Sequence, residues 1–121
     1  MNKVFIAGSR RFHEEIKNLS IFLGKNKIDV RTSGDWNSYS KDTLKTEKKA
    51  LFDAFKGIDK ANILYVYAKD GYVGKTVAME ISYAYARKKK IISSEEIKEL
   101  SAKALINKVI KKEKLITYLI N

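Results

Sequence analysis

The stretch from Gly71 to Tyr85 holds the side chain with the clearest chemical potential in this 121-residue chain. It reads GYVGKTVAMEISYAY and directly follows an apolar run, so it predicts a strand, a glycine turn and a helix. Glu80 is the one carboxylate in this stretch, and its helical neighbours are mostly apolar. A charge among apolar side chains costs free energy unless it is paired or used in chemistry. Glu80 is therefore the first candidate for a catalytic residue.

The position of Glu80 in the helix predicts where its carboxyl group points. Helical side chains lean back toward the helix N-terminus, which here comes directly after a strand. We expect the carboxyl group to face the sheet edge where the strands end, with the helix N-terminus favouring its ionised form. An ionised, partly desolvated carboxylate is able to attack a sugar anomeric carbon as a nucleophile. The alternative is a surface glutamate that pairs with Arg87 or Lys75.

Two glycine-containing turns are suited to an anionic or sugar ligand. Gly8, Ser9 and Arg10 follow the first apolar run of the chain. Glycine lets a ligand approach the backbone, serine offers a hydroxyl group, and arginine binds phosphate through a planar fork. Gly71 and Gly74 open the third predicted helix, and helix N-termini favour anions. In both cases an ordinary strand-to-helix turn is the alternative interpretation.

Aromatic and acidic side chains supply the remaining candidates. Trp36 lies in a polar segment after the second predicted strand, and Tyr72 lies in the turn before the third helix. Either ring is suited to stacking on a base, although Trp36 is equally suited to covering the core. Asp53 and Asp59, near the end of the second predicted helix, are candidates either for a helper acid or for ordinary polar surface residues.

Strands alternate with helices along the chain, which predicts a parallel sheet. We expect strands over 3–7, 28–32, 62–68 and 90–93, and helices over 12–23, 41–58 and 73–89. A fourth helix is expected to start at 94–96 and to continue over 100–110, while 115–120 fits a helix turn or an edge strand. On the second helix the spacing predicts that four residues face inward: Leu44, Leu51, Phe52 and Phe55. The expected fold class is α/β, a doubly wound Rossmann- or flavodoxin-like parallel sheet of roughly four to five strands with helices on both faces. We expect one domain over residues 1–121, with ligands bound beyond the carboxyl ends of the strands.

The composition excludes several classes of protein. The chain has no cysteine and one histidine, so disulfides, thiolate metal sites and a histidine-built zinc site are excluded, and we expect neither metal nor cofactor. Because no apolar run approaches the roughly 20 residues of a membrane span, and the N-terminal apolar stretch is too short for a signal peptide, we expect a soluble cytoplasmic protein. The net charge of +11 is compatible with phosphorylated ligands or nucleic acid. Since the lysines are spread over every predicted helix, we favour a small ligand over nucleic acid.

With these motifs in place, the chain resembles the nucleoside 2-deoxyribosyltransferase family and its nucleotide N-hydrolase relatives. The similarity runs through 4–9, 58–66, 71–84 and 90–92, and its most specific parts are the Gly-x-x-Gly turn, the Glu-Ile-x-Tyr-Ala helix and the Lys-x-Ile strand. The resemblance implies a doubly wound α/β fold and cleavage or transfer of the N-glycosidic bond of a (deoxy)nucleoside or nucleoside monophosphate. It implies Glu80 as the nucleophile that forms a glycosyl-enzyme. The turn formed by Gly8, Ser9 and Arg10 then resembles a phosphate-binding turn.

The resemblance also implies a proton donor beside Glu80 and a homo-oligomer. Asp70 and Asp53 are the candidates for the donor. Family sites are often completed by a neighbouring subunit, so we expect a dimer or a larger assembly. Two alternatives stay open: a non-catalytic nucleotide or ADP-ribose sensor on the same scaffold, and a basic module that binds nucleic acid. A dinucleotide such as NAD is a further possible substrate class.

Overall fold

The computed structural model describes residues 2–33 and 43–120. Within these residues the strands are β1 (Lys3–Gly8), β2 (Asp29–Arg31), β3 (Ile63–Tyr67), β4 (Lys90–Ser93) and β5 (Lys108–Val109). The helices are α1 (His13–Lys25), α2 (Leu44–Asp59), α3 (Lys75–Ala86), the single turn α4 (Leu100–Lys103) and α5 (Lys112–Ile120). Short 3-10 helices, Arg10–Phe12 and Lys69–Gly71, follow β1 and β3. None of the described helices has both the length and the apolar composition needed to cross a membrane.

The strands form one parallel sheet in the order β2-β1-β3-β4-β5. β1 pairs with β2 from Lys3 opposite Asp29, and with β3 from Val4 opposite Ile63. The chain runs outward from β1 to β2 and then returns to the other side of β1, so the strand order reverses between β1 and β3. The predicted doubly wound parallel sheet is confirmed, and its switch point, where such sheets bind ligands, lies at β1 and β3.

Alternate side chains of β1 belong to two different hydrophobic cores. Phe5 and Ala7 lie in a core with buried residues of α2, α3 and α4. Val4 and Ile6 lie in a second core with buried residues of α1 and α5. This alternation is what a strand shows when helices cover both faces of its sheet. The two cores fix the sheet edge from which the loops of the candidate site project.

α2 packs on the sheet through Ala54, Gly57 and Ile58, which differs from the prediction. The larger apolar residues predicted to face inward are exposed or half-buried: Leu44, Leu51, Phe52 and Phe55. The buried residues of the helix are Ala54 and Ile58. A Cβ atom on Gly57 would lie 2.3 Å from the ring of Phe5, so the helix approaches β1 too closely for larger side chains at the contact.

The segment after β4 also differs from the prediction. The helix predicted over 100–110 is limited to the single turn α4, after which the chain forms β5. The side-chain oxygen of Asn107 accepts the Ile91 N–H at 2.7 Å, and the Asn107 N–H donates to the Ile91 carbonyl at 2.8 Å. This pair of bonds holds the segment against β4. The C-terminal stretch that fitted either a helix or a strand is the helix α5, which buries Leu115 and Leu119.

Candidate active site

A cavity of about 470 Å³ opens at the carboxyl ends of β1, β2 and β3, beside the switch point. Its walls come from the segment after β1, from the end of β2, from the start of α2 and from the first half of α3. A volume of this size is typical of small-molecule sites. Six of the residues predicted from the sequence line this cavity: Gly8, Ser9, Arg10, Tyr72, Gly74 and Glu80.

Glu80 is a buried acid whose side chain lines the cavity. The residue is 5% exposed, and buried apolar residues of α3 flank it along the helix. Within residues 2–33 and 43–120, the Glu80 carboxyl group has no hydrogen bond or ion pair. Every fully buried side-chain oxygen or nitrogen atom in these residues does have a partner, so the Glu80 oxygens are not fully buried. They therefore keep contact with the open space of the cavity. The alternative pairing with Arg87 does not form, because the Arg87 Nε atom lies 2.8 Å from Asp59 Oδ1.

The protonation state of Glu80 differs from the prediction. Burial, and to a smaller extent the nearby Glu47, raise the pKa of Glu80 from 4.5 to about 8. Glu80 lies beyond the first turn of α3, where the field of the helix N-terminus has faded, so desolvation dominates. The expectation of an ionised carboxylate is therefore wrong for the free protein. At neutral pH the neutral acid is the main form.

Glu47 is a second carboxyl group in the cavity, and the sequence did not single it out. It lies in the first turn of α2, which begins with a capping box between Thr43 and Thr46. Its Oε1 atom accepts a hydrogen bond of 3.1 Å from the Thr76 hydroxyl group, and its Oε2 atom lies 3.9 Å from a guanidinium nitrogen of Arg10. These contacts join α2 to α3 and to the segment after β1. The capping signal in the sequence predicts a helix start here, but not which helix faces it.

The turn after β1 is shaped by packing as well as by possible ligand binding. A Cβ atom on Gly8 would lie 2.7 Å from the Ile16 Cδ1 atom and 3.0 Å from the Tyr67 carbonyl oxygen, so a side chain has no room there. The Ser9 hydroxyl group accepts the Arg11 N–H at 3.3 Å and caps the 3-10 helix that follows. Both residues therefore have structural roles at the cavity wall.

Tyr72 separates this cavity from a neighbouring one of about 350 Å³. The Arg11 guanidinium group lies 4.0 Å from the centre of the Tyr72 ring, and Phe12 meets the ring edge-on at 6.2 Å between centroids. These contacts fix the ring between the two cavities. Asp70 and Gly71, both with positive φ, line the neighbouring cavity and not the one that holds Glu80.

Asp53 lines a third cavity, together with residues of β1 and β2, and it pairs with Lys49 at 2.9 Å. Neither Asp53 nor Asp70 lines the Glu80 cavity, so the structure does not bring the predicted proton donors to the predicted nucleophile. Trp36 lies outside the described residues. In the described part of the chain, no cluster of three or more acidic or histidine side chains forms a candidate metal site.

The solved structure of the Clostridium botulinum CMP N-glycosidase BcmB superimposes on this chain over nearly its whole length. The match covers 98% of this chain and 99% of that chain, with a TM-score of 0.63 and 17% sequence identity. The two proteins therefore share the same α/β fold. That likeness supports the resemblance to the nucleoside 2-deoxyribosyltransferase family at the level of the fold. No protein-family model matches the chain, and no curated protein sequence matches it.

The cavity beside Glu80 brings together two carboxyl groups in unlike environments and two cations. Glu80 is a buried acid with a raised pKa, whereas Glu47 is partly open to solvent beside Arg10. Two carboxyl groups held in unlike environments are typical of sites that perform acid–base and nucleophilic chemistry at a glycosidic carbon. The cationic Arg10 and Lys75 at the same wall suit an anionic ligand.

Proposed function

We propose that this chain cleaves or transfers the N-glycosidic bond of a (deoxy)nucleoside or nucleoside monophosphate, with Glu80 as the nucleophile. The observation that carries the proposal is the buried, unpartnered Glu80 carboxyl group at the wall of a cavity where the parallel strands end. The N-glycosidase fold and the family resemblance of the Glu80 helix support the same chemistry.

In the proposed reaction, the substrate-bound Glu80 first passes its proton to Glu47, the other carboxyl group in the cavity, and the Glu80 carboxylate then attacks the anomeric carbon of the sugar. The bond from that carbon to the base breaks, its electron pair moves onto the base, and the base takes a proton from Glu47. We assign the donor role to Glu47 instead of Asp53 or Asp70 because it shares the cavity with Glu80. Water or a second base then displaces Glu80 from the anomeric carbon, and Glu47 takes back the proton that the incoming group releases.

The other residues of the cavity wall support binding of the remaining parts of such a substrate. In this proposal Arg10 binds a 5′ phosphate, and Gly8 and Ser9, which line the same wall, contact the sugar or the phosphate. In this proposal the Tyr72 ring, which Arg11 and Phe12 contact, stacks on the base. A neutral Glu80 in the free protein keeps one negative charge away from an incoming phosphate, which favours binding of the nucleotide.

A non-catalytic nucleotide-binding module is the second candidate, and one observation favours it. With a pKa of about 8, Glu80 is mostly protonated at neutral pH in the free protein, and a protonated carboxyl group is a poor nucleophile. This candidate predicts saturable nucleotide binding with no release of base.

The two candidates are separated by incubating the protein with cytidine, deoxycytidine and their 5′ monophosphates, with and without an acceptor base, from about pH 6 to pH 9. Free base is measured by chromatography. We expect base release by the wild type and a loss of roughly 10³-fold or more in Glu80→Gln, the range for removal of a nucleophile. Glu113→Gln, which neutralises an exposed acid of α5 outside the cavity, should retain activity. Unchanged turnover by Glu80→Gln would refute the nucleophile, and binding without any base release would favour the second candidate.

A further inference from the structure

We propose that the cavity next to the Glu80 cavity binds a second nucleoside, so that the preferred ligand is a dinucleotide whose linking phosphate lies at Arg10 and Arg11. This second cavity is the one of about 350 Å³ that Tyr72 separates from the Glu80 cavity. The binding of a second nucleoside stands on the residues that line the two cavities. Loss of the base from the first nucleoside rests on the proposed function, so binding and base release are measured separately.

The two cavities adjoin each other at Tyr72, which lines both of them. Their volumes are about 470 and 350 Å³, and each lies within the range of roughly 300–1,000 Å³ that is typical of small-molecule sites. The turn after β1 and the turn before α3 each continue from the wall of one cavity into the wall of the other. A ligand longer than a mononucleotide therefore has continuous walls to follow.

Arg10 and Arg11 give each cavity a cation close to the border between the two. They are consecutive residues of the 3-10 helix that follows β1, which has about three residues per turn, so their side chains project about a third of a turn apart. Their backbones are joined by one peptide unit, which spans about 3.8 Å from Cα to Cα. Guanidinium groups bind phosphate through a planar fork. We therefore place the linking phosphate at this border, with one nucleoside in each cavity.

The wall of the second cavity offers the groups that bind a nucleoside. Tyr72 and Val73 provide partly exposed apolar surface for a base, and the Arg11 guanidinium group, 4.0 Å from the Tyr72 ring centre, adds a planar cation of the kind on which bases stack. Asp70 provides carboxylate oxygens that accept hydrogen bonds from ribose hydroxyl groups. Lys98 provides an ammonium group for the phosphate.

Asp70 and Lys98 are available to a ligand. Among the residues that the structure describes, neither side chain forms a hydrogen bond or an ion pair, although the two carry opposite charges and line one cavity. Two other charged side chains at this wall already have structural roles, because Lys69 lies 3.3 Å from Glu15 and the Glu99 side chain caps α4. The pair that is left suits a ligand that carries both hydroxyl donors and an anionic group.

The backbone after β3 holds this wall in place. Asp70 and Gly71 both have positive φ, and a Cβ atom on Gly71 would lie 2.6 Å from the Glu96 carbonyl oxygen and 3.0 Å from the Lys98 Cγ atom. Because Gly71 has no Cβ atom, the chain near Lys98 packs against the turn, and the Lys98 N–H donates to the Gly71 carbonyl at 3.1 Å. The backbone of the second cavity is therefore set by the fold, which limits the entropy lost on binding.

A dinucleotide is the substrate class that uses both cavities. Its first sugar lies beside Glu80, as the proposed function requires, and its second nucleoside adds binding energy away from the reacting bond. Remote contacts of this kind hold the reacting group in place and increase the rate of its reaction. We therefore expect a dinucleotide to be cleaved with a higher kcat/KM than the corresponding monophosphate.

Calorimetric binding of matched probes tests the second cavity. The probes are two dinucleotides of adenosine and cytidine, one linked by a phosphodiester and one by a pyrophosphate at the cytidine 5′ position. Each is compared with the cytidine ligand that carries a methyl group instead of adenosine on the same phosphate chain, so the two members of a pair have equal charge. We expect at least one dinucleotide to bind roughly five- to 100-fold tighter than its methyl partner, the range for stacking of one further base.

Two variants assign this gain to the second cavity. Asp70→Gly keeps a backbone that favours positive φ and removes the carboxylate, so the gain of the dinucleotide over its methyl partner should fall roughly tenfold, the effect of losing a hydrogen bond to a charged group. Lys98→Gln should weaken both members of a pair about two- to fivefold, because both contain the phosphate. Glu113→Gln and Lys114→Gln, which each remove one exposed charge of α5, should bind all probes like the wild type.

The second subsite is overturned if neither dinucleotide binds tighter than its methyl partner, or if no probe binds. It is also overturned if Asp70→Gly leaves the gain intact, or if Glu113→Gln reduces it equally. A gain that Asp70→Gly removes, without release of base from any probe, would leave the second subsite standing and count against the proposed function. Base release from the monophosphate, with no gain for either dinucleotide, would support the proposed function and overturn the second subsite.

Discussion

Replacing Glu80 with glutamine is expected to stabilise the protein at alkaline pH. The wild-type carboxyl group has a pKa near 4.5 when unfolded and about 8 in the folded state, because it is buried beside Glu47. Between these values the folded state binds one proton more than the unfolded state, so the stability of the wild type falls as the pH rises through this range. Glutamine has nearly the same shape and does not titrate, so the stability of the variant does not fall with pH for this reason.

The size of the effect follows from the same two pKa values. A difference between 4.5 and about 8, at about 1.4 kcal/mol for each pH unit, corresponds to roughly 4–5 kcal/mol. Water entering the cavity and local relaxation around an ionised Glu80 reduce this value. We therefore expect Glu80→Gln to gain roughly 2–4 kcal/mol over the wild type between about pH 5 and pH 9.

The assay is urea denaturation of both proteins at about pH 5 and pH 9, with stabilities from linear extrapolation. Other titrating groups are shared by the two proteins, so they cancel in the difference. Glu113→Gln serves as a matched loss of one exposed acid and should show no comparable gain. An equal stability difference at the two pH values, or a wild type that gains on the variant at pH 9, would refute the burial argument.

Three further predictions test the backbone and the charges around the site. Gly71 has a φ of +77°, and a Cβ atom there would lie 2.6 Å from the Glu96 carbonyl oxygen, so Gly71→Ala should cost roughly 1–3 kcal/mol in urea denaturation. A Cβ atom on Gly24, in the last part of α1, would have no atom within 4 Å, so Gly24→Ala should gain roughly 0.5–1 kcal/mol of stability in the same assay. No loss of stability in Gly71→Ala, or a loss in Gly24→Ala, would contradict the described backbone. Glu47→Gln removes a negative charge that raises the pKa of Glu80, so the Glu80 titration midpoint measured by NMR should move to lower pH. An unchanged or higher midpoint would show that Glu47 does not act on Glu80.

The fold could be predicted from the sequence because β1, β3 and β4 are short apolar runs, and glycine turns follow β1 and β3. β4 has the predicted bounds, β1 is one residue longer than predicted at its C-terminal end, and β3 is one residue shorter at each end. The helix predicted over 100–110 was wrong for a tertiary reason. The bonds between Asn107 and Ile91 hold that segment beside β4, and helical spacing of apolar residues carries no information about such a contact.

The candidate site was only partly predictable. The burial of Glu80 follows from its apolar neighbours on α3, and the turn after β1 follows from its glycine. Glu47 joins the cavity only because α2 begins opposite α3, and the order of these helices along the chain does not determine how they face each other. The raised pKa of Glu80 depends on burial by surrounding elements, so a prediction from helix position alone gave the opposite protonation state.

The central claim is that Glu80 bonds to the sugar, and peptide mass mapping of an acid-quenched reaction tests it most directly. A turnover mixture of wild-type protein with its nucleotide or nucleoside substrate is quenched, digested and searched for added pentose. We expect the pentose mass on the peptide that contains Glu80, and no such mass in Glu80→Gln. Release of base with that peptide unmodified and the adduct on another residue would contradict the claim.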